Sequence, residues 1–323
     1  MERNYNYKWK GQTKYEKLLH QKNKKTREKW KKEQNDLKKK LIEVDDHKWV
    51  IDNKDEEKDE KTESNEKKNN DKNSINIIKE EEKKEKLRYI GGIDISYVKP
   101  NGDVGISGLV VCDVEQDFKI VYEDYKLVKI KEPYIPSFLA FREVNPYVEL
   151  INDLKQKKPK FVPQVILVDG NGIFHPRGFG IASHLGVLVD IPTIGCAKTV
   201  FELYNEGITI PYVQKMYRKN LFQFGDSYPL IGYSDKEYGY ALRSTDYYDD
   251  PIIVSLGHNV SNETALDVAI MCCYYKEPEP IRLADLITRR LISAYKKAYN
   301  PEKWNLKNYF YQNYGYIHKN LYK

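Results

Sequence analysis

Residues Gln164–Lys198, QVILVDGNGIFHPRGFGIASHLGVLVDIPTIGCAK, decide how this chain folds. Gln164–Val168 is a short and almost wholly apolar run, the pattern of a strand covered on both faces. The turn residues Asp169-Gly170-Asn171-Gly172 end it. Gly180–Val189 reads as a buried helix, and Pro192–Cys196 as a second short strand. Upstream, Tyr89–Ile95, Val104–Val114 and Lys119–Ile130 read as three consecutive strands, with turn residues at Asn101-Gly102. Phe138–Lys155 has helical spacing through Leu139, Val144, Val148, Ile151 and Leu154. Downstream, Tyr240–Arg243 and Pro251–Leu256 resemble a hairpin, followed by helices over Ser261–Tyr274 and Ile281–Tyr295. Three strands, a helix, then strand–helix–strand predicts an α/β layer fold with a mixed sheet flanked by helices.

The expected core spans 87–294, and the flanks differ in texture. Of the 323 residues, 40% are hydrophobic and 32% charged, and the mean hydropathy is −0.73, low for a chain packed throughout. By count the net charge is roughly +8 over 1–51, −3 over 52–86, −4 over 87–294 and +5 over 295–323. Residues 1–29 are expected to be a basic disordered tail. Residues 30–51 carry Trp30, Leu37, Leu41, Ile42 and Trp49, which suggests a short helix docking on the core. Residues 52–86 hold too little apolar surface to offset ordering entropy and are expected to be a disordered charged insert. Residues 295–323 form a basic, Tyr- and Asn-rich tail. Those basic ends could attract a polyphosphate, or could be solvated tails with no partner.

No run of eighteen apolar residues occurs, so no membrane span is expected, and Met1–Lys10 is too polar for a signal-peptide core. A cytoplasmic or nuclear address follows as the expectation. Cys112, Cys196, Cys272 and Cys273 lack zinc or disulfide spacing and read as buried, inert thiols.

Asp94 in GGIDIS and Asp169 in QVILVDGNG are acids amid largely apolar strands, where burial is expensive without a partner charge. On neighbouring strands the two could converge on one hard cation. Each could equally cap a turn. Glu143, His175, Lys198 and His258 are unremarkable taken singly.

As a set these segments are similar to a known family. Leu87–Arg290 resembles endonuclease V, most strongly over Val168–Lys198. Further matches are GGIDISYV (91–98), PYIPSFLAFRE (133–143), GYALRS (239–244), SLGHNVSNETA (255–265) and EPIRLAD (279–285). WKKEQNDLK (30–38) has the look of the family's N-terminal helix. The resemblance implies a ribonuclease H-like fold and a Mg²⁺ site (Mn²⁺ as an alternative) held by Asp94, Glu143 and Asp169. Asp94 and Asp169 would be direct ligands. Lys198 matches the family's active-site lysine, and His258 a histidine near the scissile phosphate. Pro133-Tyr134-Ile135-Pro136 matches a wedge that fills the stack vacated by an extruded base. The base pocket would be backbone around Leu139, Gly170, Gly180 and Ile181, with His175 nearby.

Two departures bear on that site. Ser137 stands where the family usually has glycine, and would be strained at positive φ. Asn259 follows His258 where a basic residue is common. VDGNG with HPRGFG looks like eukaryotic members, which implies an endonuclease acting on inosine in single-stranded RNA; a monomer is the expectation. It would cut the second phosphodiester 3′ to inosine, leaving 3′-hydroxyl and 5′-phosphate ends. Deoxyinosine repair in DNA and a non-catalytic inosine-RNA binder are the alternatives.

Overall fold

Gly92 leaves no room for a side chain: a β-carbon there would lie 2.1 Å from the Pro280 carbonyl. That close approach lets a helix late in the chain lie on an early strand, and so helps position the site. The computed structural model describes residues 14–51, 84–99 and 102–298, with side chains from residue 23 onward. In chain order the elements are α1 (Lys14–Lys38), β1 (Trp49–Val50), β2 (Glu85–Lys86), β3 (Tyr89–Tyr97), β4 (Val104–Asp113) and β5 (Lys119–Lys129). Next come α2 (Ala140–Lys157), β6 (Val165–Asp169), α3 (Ile181–Val189), β7 (Thr193–Ala197) and α4 (Ile210–Asn220). The chain continues through β8 (Ser227–Ile231), β9 (Glu237–Leu242), β10 (Ile252–His258), α5 (Asn262–Met271) and α6 (Glu279–Lys297).

Eight strands form one mixed sheet in the order β5-β4-β3-β6-β7-β10-β9-β8. The β3–β6 and β6–β7 pairs are parallel and the remaining pairs antiparallel. Strand periodicity of two decides what covers each face. Ile166 and Val168 pack with Val144, Leu150 and Ile151 of α2 and Leu185 of α3. Val165 and Leu167 pack on the other side with Val268 of α5 and Ala284 of α6. These four β6 side chains are fully buried, worth about 1.5–3 kcal/mol for each large aliphatic side chain. The two-faced strand expected at QVILV is therefore the centre of the sheet.

The flanks differ from expectation. The N-terminal helix runs over Lys14–Lys38 rather than 30–51, entering the segment expected to be tail, and the chain after it is irregular up to the short β1. Among its described side chains, from residue 23 onward, Trp30 and Gln34 are the buried ones, too few for apolar spacing to mark its bounds. Glu85–Lys86, at the end of the expected insert, pairs with Trp49–Val50. Most of 52–86, residues 1–13 and residues 299–323 lie outside the described residues. Helix α4 and strand β8 had no counterpart in the sequence reading. Only Val213 and Tyr217 of α4 are buried, too sparse a stripe to register as periodicity. All four cysteines are buried and unpaired. Among the described residues no helix is long and apolar enough to cross a membrane.

Candidate active site

Parallel pairing of β3 with β6 ends at Ile93 and Val168, so the next residues, Asp94 and Asp169, emerge side by side. Both line a cavity of about 440 Å³, together with Glu143 from the first turn of α2 and Lys198 just beyond β7. Asp94 is buried, and its hydrogen bond comes from Thr288 Oγ1 at 3.4 Å. Burial first, then the charges of Asp169 and Asp285, push its pKa well above the usual carboxylate range. Glu143 is pushed up to about 7 by burial, against the opposing hydrogen bond from Tyr97 Oη to its Oε1 at 2.5 Å. Lys198 Nζ lies 3.0 Å from both Asp169 Oδ2 and Glu277 Oε2. Burial alone would lower its pKa, but these two acids outweigh it and hold the ammonium charged.

The three acids expected to share a cation thus reach one cavity without closing into a ligand set. Among the described residues no three histidine, cysteine or acidic side chains are grouped closely enough to hold a metal ion. Glu143 is turned to Tyr97, and Asp169 to Lys198. The donor chemistry nonetheless suits a hard divalent ion: carboxylate oxygens in excess of the single lysine, with one acid buried among like charges.

The base-pocket residues Leu139, Gly170, His175, Gly180 and Ile181 line this same cavity, as do Tyr134, Ser137 and Gln34. At Gly170 and Gly180 its wall is backbone by necessity. Gly170 has φ +149°, and a β-carbon there would meet Ile181 Cγ2 at 2.5 Å; one at Gly180 would meet the Asn171 carbonyl at 2.2 Å. His175 accepts from the Arg177 amide at Nδ1 and therefore donates from Nε2 to the Ser137 carbonyl at 3.0 Å. Burial lowers its pKa to about 3, so the ring is neutral. Ser137 does take positive φ, +65°. In the wedge segment Tyr134 is 66% exposed and lies under the Arg142 guanidinium, while Pro133 and Pro136 flank it at the surface. Ile135 is not part of the cavity: it is buried against Trp30 and Phe138 and anchors the loop.

His258 is not at this site. β10 runs antiparallel to β7 with His258 opposite Thr193, the first residue of β7, whereas Lys198 follows the last. The histidine therefore emerges at the opposite edge of the sheet. There its Nδ1 accepts from the Ile42 amide at 3.2 Å. Asn259, beside it, sits at that same remote edge and is not positioned to lose a phosphate contact. The residue the sequence reading missed is Asp285. It lies on α6, one step from fully buried Ala284, and its charge acts on Asp94. An acid beside buried residues in EPIRLAD was the available signal. Glu277 and Tyr97, which hold Lys198 and Glu143, had none.

Residues 71–286 match the family model described as endonuclease V. The chain belongs to the endonuclease V family. Mouse endonuclease V is 45% identical over 206 residues, covering 64% of this chain and 60% of the mouse protein. Human endonuclease V is 42% identical over 206 residues, covering 64% and 72%. This chain thus spans three fifths of the length of the mouse relative. The crystal structure of the human endonuclease V catalytic domain superposes with a TM-score of 0.67 at 35% identity, covering 84% of this chain and 97% of that one. Endonuclease V of Ciona intestinalis, solved with a 24mer DNA containing an inosine followed by a ribo-adenosine, has a TM-score of 0.67 at 30% identity, covering 84% and 99%. The expected ribonuclease H-like α/β architecture is therefore the one present.

Proposed function

We propose that this protein is a Mg²⁺-dependent endonuclease that cuts single-stranded RNA at the second phosphodiester 3′ to an inosine, leaving 3′-hydroxyl and 5′-phosphate ends. One observation carries the reading: a single cavity joins a neutral, backbone-walled pocket to a group of acids and a charged lysine. The pocket suits an extruded base. Hypoxanthine presents an acceptor at O6 and a donor at N1, and adenine presents the reverse. Fixed backbone groups matched to the first leave buried groups unpaired against the second, a penalty of about 1–3 kcal/mol each.

Asp94 and Asp169 are the residues that would hold Mg²⁺, with Glu143 beside them. The ion when bound supplies an activated water and offsets charge on the reacting phosphate. Lys198, kept protonated by Asp169 and Glu277, places a positive charge at the cavity wall where a phosphate would enter. Exposed Tyr134, stiffened by its two prolines, is placed to stack where the base has left. RNA is favoured because the VDGNG and HPRGFG segments are of the eukaryotic type, and the mammalian relatives are more similar than the bacterial ones. A DNA reading also has support, since the Ciona relative was solved with inosine-containing DNA.

Matched single-stranded oligonucleotides carrying ribo-inosine, deoxyinosine or adenosine test this directly. Cleavage with Mg²⁺ and none with EDTA is expected, fastest on ribo-inosine. Equal cutting of the adenosine control would sink the base-pocket assignment, and faster cutting of deoxyinosine would move the substrate to DNA.

A further inference from the structure

Ser137 closes the wedge loop and lines the cavity, yet it is a serine at φ +65°, a conformation that side chains rarely adopt. Something must hold it there. Arg177 Nη1 donates to Ser137 Oγ at 3.1 Å, Arg177 Nη2 donates to the Ser137 carbonyl, and His175 Nε2 donates to that same carbonyl. The guanidinium also lies 4.1 Å from the centre of the Phe138 ring. Its acceptors, Gln34 Oε1, Ser137 Oγ and the Ser137 carbonyl, are all neutral, and burial lowers its pKa to about 10. A half-buried cation directed at neutral acceptors is being used for its rigid fork rather than its charge.

Arg177 is fixed in turn by α1. Gln34, only 1% exposed, accepts from Arg177 Nε through Oε1 and donates through Nε2 to the Phe179 carbonyl at 2.6 Å. Lys38 Nζ donates to the Arg177 carbonyl at 2.7 Å. Trp30, one turn before Gln34, stacks on Phe141 at 4.8 Å and covers Ile135 and Phe138. An N-terminal helix thus reaches the wedge by two routes, one apolar and one through hydrogen bonds.

We propose that α1 braces the wedge loop through a Gln34–Arg177–Ser137 relay, making Gln34 and Arg177 positioning residues for recognition of the extruded base. The proposal rests on the inosine reading above for its substrate, but not for its geometry. Without the relay, Ser137 relaxes from positive φ and Tyr134 loses its fixed direction. Base capture then weakens, while the acids on β3 and β6 are untouched.

The test uses the full chain and the variants Gln34→Leu and Arg177→Lys, each with and without Ser137→Gly. With the inosine oligonucleotide, each single variant should raise KM by roughly tenfold, the scale of one buried hydrogen bond to a charged group, and leave kcat within about twofold. Hydrogen exchange at the Phe138 amide, which donates to the Ile135 carbonyl at 3.0 Å, should accelerate in the free protein. Adding Ser137→Gly should recover both readouts, because glycine holds positive φ without a brace. A fall in kcat and unfolding midpoint without that rescue would mean packing alone, and overturns the relay. Unchanged KM with unchanged exchange overturns it as well. If the parent chain fails to cut inosine strands, the substrate reading falls, and the exchange measurement still decides the brace.

Discussion

The two edges of the central sheet use the same residue types to opposite ends. At one edge Asp94, Asp169 and Glu143, joined by Asp285, crowd together with Lys198, and burial plus like charge raises the pKa of Asp94. At the other, His258 is 3% exposed with its Nδ1 bonded to the Ile42 amide, and Asp45 accepts from the Ser261 amide and the Ser261 and Thr264 hydroxyls. At the remote edge these bonds fasten the segment after α1 to β10 and α5. The near edge leaves charge unbalanced, which is costly to folding and useful to a cation or phosphate. A buried ionisable residue therefore says little until its partners are known.

The comparison breaks or sharpens with single substitutions. Asp94→Asn has the largest expected effect: cleavage in Mg²⁺ should fall by about 10³-fold or more. The unfolding midpoint in EDTA should rise, because burial and neighbouring acids disfavour this carboxylate in the folded chain. Normal cleavage by this variant, or a lower midpoint, would break the contrast. Asp285→Asn should slow cleavage by about 10²-fold in single-turnover assays, and parent-like rates would remove Asp285 from the site.

His258→Ala should do the reverse, losing about 1–3 kcal/mol in urea unfolding as the Ile42 amide is left unpaired, with cleavage per folded molecule within about twofold. Burial holds the His258 pKa below 6.5 despite Asp190 and Asp46, so the folded chain binds fewer protons here than the unfolded one. Stability then drops as pH falls below 6.5, and His258→Asn, whose amide oxygen can still accept, should flatten that part of the profile.

The smallest effect is expected for Asp45→Asn, about 0.5–1 kcal/mol at pH 7, since 38% of the carboxylate side chain is exposed. Burial would raise this pKa, but the bonds from Ser261 and Thr264 outweigh it and hold it below 3.8. The contribution is present above 3.8 and lost as pH falls through the lower folded value, so parent and variant unfolding curves should converge in acid.

Much of this was legible along the chain. QVILV declared a two-faced strand because an unbroken apolar run suits burial on both sides, and Asp94 and Asp169 stood out as acids where such strands give way. The resemblance of Pro133–Pro136 to the family's wedge singled out Tyr134, and the structure shows its ring exposed. Helix α4 was not legible, because two buried residues make no stripe. The relay from Gln34 was not legible either, since 143 residues separate it from Arg177 and glutamine on a basic helix carries no signal of burial.

By itself the sequence determined the layered α/β class, the central strand and the acids that end it, because periodicity and charge among apolar neighbours are local properties. Only the tertiary structure decided that Asp285 belongs with those acids and His258 does not. Which edge a residue reaches depends on strand direction, and direction is set by pairing: Leu256 opposite Ile194 and His258 opposite Thr193 turn β10 away from the cavity. No local pattern in SLGHNVS contains that information.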